Sequence, residues 1–221
     1  MSEETETVKP SLIGIITSPV QQLERIKDKS LVWSPLIMVI IIVIIGSVLQ
    51  GLGAEMPGME EDISGTPFIF ILGAFTVALA IVGTLIGVLI VSAIHMLIAK
   101  IALLTISFKQ LFSMNIYIAI ITALGIHING IVAAVIGTEN PEALFTSVGS
   151  FVNAPGDVGM LSGLWDSIEI FAIWAYIVTA FGLQIVAGFS KKLAWSIVLA
   201  FFFITILFNM ISAFFSGMAG V

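Results

Sequence analysis

The sequence has no cysteine in its 221 residues, which excludes a disulfide framework, a thiolate metal site and a thiol nucleophile. Charge is scarce as well. Only 10% of the residues are Asp, Glu, Lys or Arg, against about 25% in an ordinary soluble domain. Bases are scarcer than acids, 8 Lys and Arg to 14 Asp and Glu, for a net charge of −6. The clustered basic footprint of a nucleic-acid binder is therefore absent, and no nucleic-acid partner is expected. What the chain does have is apolar surface, since 59% of its residues are hydrophobic. That composition excludes a soluble globule and leaves an integral membrane protein.

Residues 1–34 form a cytosolic or interfacial lead. They lack the short basic region running straight into an apolar stretch that marks a signal peptide. Ser18-Pro19-Val20-Gln21 offers a cap oxygen, a preset φ and a Gln able to reach back, which predicts a helix over about 19–29. On it, Val20, Leu23 and Ile26 make an apolar stripe with Arg25, Lys27 and Lys29 beside them. This is the pattern of an amphipathic helix lying on a membrane surface.

Residues 35–215 read as a transmembrane domain with spans over about 35–53, 67–99, 111–137, 168–189 and 193–215. The second span needs argument. Its 33 uncharged residues, at about 1.5 Å each, extend ~50 Å, well past the ~30 Å hydrocarbon core. Two helices of half that length are too short, and neither Pro nor a Gly-Gly turn interrupts the middle. One overlong helix is predicted, with His95 near its inner end. Gly83 and Gly87 on it have the small-xxx-small spacing that lets a neighbouring helix approach closely. The fold class is thus all-α: a polytopic bundle of five transmembrane helices with an N-terminal interfacial amphipathic helix.

Five spans place alternate loops on opposite sides. Lys9, Arg25, Lys27, Lys29, Lys100, Lys109, Lys191 and Lys192, all eight bases, then share one side. The other side has the acidic turn with Glu55, Glu60, Glu61 and Asp62 and the long acidic segment 138–166, and no base. By the positive-inside rule the N-terminus is cytoplasmic, the C-terminus extracytoplasmic and the protein multi-pass in a plasma membrane. Splitting the second span in two would misplace four lysines.

No span has a charged residue at its centre, where a proton relay or an ion path would need one. The candidate polar intramembrane positions are His127, Asn129, Gln184 and Asn209. His127 and Asn129 are read as interhelical hydrogen-bonding groups, with a ligand or proton site as the alternative. Gln184 and Asn209 are read as interhelical amides. Asp166 and Glu169, at i and i+3, offer either an acid/base pair or an Asp N-cap followed by an acid in the first turn of the fourth span. The Glu60-Glu61-Asp62 cluster lacks the glycine and spacing of a calcium loop. His127 has no His, Asp or Glu three or four residues away, so no metal site is assembled. Nor is there a catalytic set or a cofactor motif.

Two stretches resemble a known family. SPVQQLERIKDKSLVWSPL (18–36), with a Pro before a short basic amphipathic helix and a second Pro opening a span, resembles the lead-in of bacterial Yip1-family membrane proteins. FAIWAYIVTAFGLQIVAGFSKKLAW (171–195) is similar to that family's fourth span and its Ser-Lys-Lys turn into the fifth. The resemblance implies a non-enzymatic integral membrane protein. Eukaryotic relatives act in vesicle traffic through small GTPases, but their Tyr-Pro-Pro motif is missing here. Some bacterial relatives accompany ABC exporters. An accessory or assembly role beside an ABC-type exporter, in toxic-peptide export or resistance, is the function implied, with the bilayer, exporter subunits and a second copy of the chain as partners. A small-solute transporter or channel, or a membrane scaffold in trafficking, is the alternative.

Overall fold

The computed structural model describes residues 8–53, 67–137, 144–152 and 159–219. They form α1 (Gly14–Thr17), α2 (Pro19–Asp28), α3 (Trp33–Gly53), α4 (Pro67–Ile101), α5 (Phe108–Ile136), α6 (Gly149–Val152), α7 (Met160–Asp166), α8 (Ile170–Ile185) and α9 (Lys191–Ala219), with no strand among the described residues. The Glu60-Glu61-Asp62 turn, Asn140-Pro141 and Pro155-Gly156 lie outside them. The chain is an all-α polytopic membrane protein, in which α3, α4, α5 and α9 are each long and apolar enough to cross a membrane. The 33-residue uncharged run is one helix, within the 35 residues of α4.

The fourth apolar segment differs from the expected 168–189 at both ends. Helix α8 has 16 residues, about 24 Å at 1.5 Å per residue, short of the ~30 Å hydrocarbon core. It starts late because Ile168 and Glu169 are drawn into extended pairing with the segment before them, Val148 N donating to Ile168 O at 2.9 Å and Ile170 N to Thr146 O at 3.3 Å. It stops early because Gly188 turns the chain at φ 76. Phe189 N then closes the last turn on Leu183 O at 3.0 Å.

Helix α5 is the hub. All nine consecutive residues from Ser113 to Ile121 are buried, which on a 3.6-residue period leaves no face open. Helix α3 runs parallel to it, with Ser113 bonded to Leu31 near one end and Gly46 against the backbone of His127 near the other. Helix α8 runs antiparallel, with Gly125 beside Phe171 and Gly182 beside Met114. Helix α4 packs on α3 and α5, and α9 on α8 and α7. The outward faces of α4 and α9 expose large apolar side chains such as Phe70, Leu79, Ile90, Phe203 and Leu207. Lipid covers such faces in a membrane without further partners.

The packing glycines are not those the spacing suggested. A Cβ at Gly83 or Gly87 would meet nothing within 4 Å, because that face of α4 looks away from the rest of the chain. The close crossing is between α3 and α5. A Cβ on Gly130 would run into Gly46 O and lie 3.2 Å from Gln50 N, and one on Gly46 would lie 2.9 Å from His127 Cα.

The N-terminal helix also differs from expectation. Its bounds match the predicted 19–29, but the Ser18 cap does not form: the Ser18 hydroxyl turns back to donate to Gly14 O at 3.2 Å. Its stripe is not offered to lipid. Leu23 and Ile26 are 0% exposed, packed where α5 and α8 meet, and only Val20, at 45%, faces outward. The physical reason is the short α8, whose C-terminal end leaves a recess beside Met114 and Gly182. Leu23 fills it, its Cδ2 lying 3.3 Å from where a Gly182 Cβ would be. Arg25 lies along the rim, and Lys27 is exposed.

Candidate functional site

Polar side chains gather in three places. The first joins the C-terminal end of α5 and the N-terminal end of α8 to the segment between them. The Asn129 amide donates to Gly125 O at 2.9 Å and to Thr146 Oγ1 at 3.0 Å, and its oxygen accepts from Thr146 N at 3.1 Å. Thr146 Oγ1 passes the chain on to Glu169 Oε1 at 2.6 Å. Glu169 Oε2 accepts from Ala172 N at 2.6 Å, so Glu169 caps α8. The expected cap, Asp166, instead ends α7 and accepts from Ser147 Oγ at 3.4 Å. Burial raises the Asp166 carboxyl above its ordinary range, and the Ser147 bond pulls the other way. The two carboxylates therefore do different structural jobs.

Asn209 belongs to this end too. Its amide donates to Ser167 Oγ at 3.0 Å, and Gly163 of α7 rests directly on the Asn209 backbone, where a Cβ would come within 2.6 Å of Asn209 C. Together Asn129, Glu169 and Asn209 tie Thr146 and the end of α7 to α5, α8 and α9.

The second place lies near the opposite ends of α4 and α5, and the sequence reading did not assemble it. Asn115 Nδ2 donates to Ser92 Oγ at 2.9 Å and lies 3.3 Å from His95 Nδ1, which for this bond is the unprotonated ring nitrogen. All three side chains are buried, and the His95 ring meets Phe201 of α9 edge-on at 5.7 Å. The signal available was Ser92 and His95 at i, i+3 on one face of α4. Asn115, lone in an apolar run, gave no sign of its partner.

The third place is the seat of the N-terminal segment. The Gln22 carbonyl accepts from Ser11 N at 2.7 Å and Arg25 Nη1 at 3.3 Å, and Tyr117 OH donates to Pro10 O at 3.4 Å. Gln110 completes a capping box with Ser107 at the start of α5 and spends its amide on Lys27 O at 3.3 Å.

Two expected interhelical groups behave otherwise. Gln184 donates to Ala180 O of its own helix at 2.8 Å and bridges to no other helix among the described residues. His127, whose backbone lies against Gly46, makes no interhelical bond among the described residues. Its buried Nδ1 has no partner among the described residues. The four candidate positions thus do not converge on one cavity, and no group of three or more His, Asp or Glu suited to a metal occurs among the described residues.

The model of the Yip1 domain matches residues 13–213. The chain is also 34% identical over 224 residues to the membrane protein YknW of Bacillus subtilis (strain 168), covering 98% of this chain and 95% of that protein. No solved structure matches.

Proposed function

The chain belongs to the Yip1 family, and on that premise we propose that it is a non-enzymatic accessory or assembly protein of the plasma membrane, acting beside an ABC-type exporter that handles toxic peptides. The observation that carries this reading is where the buried polar groups spend their bonds. Asn115, Asn129, Glu169 and Asn209 each bond within the chain to hold helices and the outer cap in register. A site for chemistry needs groups left over to meet a substrate. Long apolar faces on α4 and α9 remain for partners and lipid. The eight bases, all on one side of the five-span layout, support an N-terminus in the cytoplasm and a C-terminus outside.

The test is recovery of the tagged chain from membranes in mild detergent, with mass spectrometry of what accompanies it. The nucleotide-binding and membrane subunits of an exporter are the expected companions. Recovery without them, together with flux or turnover by the purified chain alone in proteoliposomes, overturns the reading. Such flux is what the second reading, a small-solute transporter or channel, requires. One observation favours it: His127 Nδ1 is buried and unbonded among the described residues.

A further inference from the structure

We propose that the corner where the end of α2 meets the start of α5 is a binding surface for anionic lipid headgroups, with Lys27, Lys29 and Lys109 making the contacts. This goes beyond the accessory role and does not depend on it. The geometry comes from two backbone clasps. Gln110 Nε2 donates to Lys27 O at 3.3 Å, and Ser113 Oγ donates to Leu31 O at 2.6 Å. Residues 27–31 therefore run along the first turns of α5, and Lys27, Lys29 and Lys109, which are far apart in sequence, come to one corner.

Charge is the second part. None of the three lysines has an ion-pair partner among the described residues, although Glu24 and Asp28 share α2 with two of them. Lys27 and Lys109 are exposed and Lys29 is half-buried. Three unpaired ammonium groups held near one another repel, and a shared anion removes the repulsion.

Depth selects the anion. Trp33 is 76% exposed and Phe108 39% exposed at this same corner, with Phe108 stacked on Phe112 at 5.7 Å. Trp33 follows Lys29 by four residues and Phe108 directly precedes Lys109. Exposed aromatic rings settle at the level of the headgroups, and lysine stems of this length carry the ammonium a little further toward water. The charges thus fall at the lipid phosphates and not in bulk solvent, which assigns the site to lipid in preference to free phosphate. A flexible point charge suits a phosphodiester that moves with the bilayer.

Trp33 is the reporter. In vesicles, the quenching of its fluorescence by brominated lipid is obtained as the difference between the full chain and Trp33→Phe. At equal mole fraction and low salt, brominated phosphatidylglycerol is expected to act as though enriched at least about fivefold over brominated phosphatidylcholine, the factor for about one lysine near an anionic surface. In the variant Lys27→Gln/Lys29→Gln/Lys109→Gln the ratio is expected to fall to near one. In Lys191→Gln/Lys192→Gln, at the start of α9, which does not pack along α5, it is expected to stay, and this second variant introduces two amides where the first introduces three. Equal quenching by the two lipids in the unmodified chain overturns the proposal, as does a preference that survives in the triple variant. Loss of the preference on adding inorganic phosphate at constant ionic strength reassigns the site to free phosphate and overturns it too.

Discussion

Asn129 is 2% exposed and bonded through both atoms of its amide. Its partner Thr146 lies 17 residues away, beyond the end of α5. Sequence reasoning singled out the residue because an amide is rare in a span. It assigned the bond to a neighbouring helix, since nothing in an apolar run says that a loop folds back over the helix end. The same blindness moved the α8 cap from Asp166 to Glu169: both are acids at the right spacing, and only the extended pairing of residues 146–148 with 168–170 decides between them. Asn129→Ala leaves Thr146 N without its acceptor in a dry site. It is expected to cost about 1 to 3 kcal/mol, the range for an orphaned buried polar group, and to lower the thermal unfolding midpoint in detergent. Asn129→Asp, which keeps the acceptor, is expected to recover part of the loss. An unchanged midpoint in Asn129→Ala shows that the outer cap is not held this way.

Among the elements, the helices were legible and their faces were not. Uncharged length sets where a span begins and ends to within a turn or so, which is why α4 reads as a single helix. Which side of a helix meets its neighbour is a property of two sequences at once. Gly83 and Gly87 have the spacing of a packing face yet look outward, whereas Gly46 and Gly130, 84 positions apart, carry the α3–α5 crossing. The stripe on α2 is legible in the spacing of Val20, Leu23 and Ile26. It faces protein because α8 is short, and α8 is short because of a glycine turn inside an apolar run that continues to Phe189. These assignments separate cleanly by experiment. Gly130→Ala forces two backbones apart and is expected to destabilise by about 1 to 3 kcal/mol, as overpacking does. Gly83→Ala and Gly87→Ala meet open space and gain helix propensity, so by up to about 1 kcal/mol they are expected to be neutral or stabilising in the isolated chain. The reverse order in thermal unfolding would place the tight crossing elsewhere.

At the scale of the whole molecule, scarcity of charge is informative through its placement. The eight bases fall in the N-terminal lead, the 100–109 connector and the 191–192 turn, and the acidic segments fall between them. That arrangement agrees with five crossings, of which the weakest is α8, whose ~24 Å is less than the ~30 Å core. At its C-terminal end α8 packs against α2. An outer position for α6 and α7 and an inner one for the basic corner require that α8 cross with its start outside. The absence of native cysteine permits a direct measurement. Single cysteines replace Ser150, exposed just after the outer segment begins, and Ser190, exposed at the start of α9, and intact cells are treated with a membrane-impermeant maleimide. Ser150→Cys is expected to label in intact cells and Ser190→Cys only after permeabilisation; labelling of both from the same side, or in the opposite order, would contradict the account.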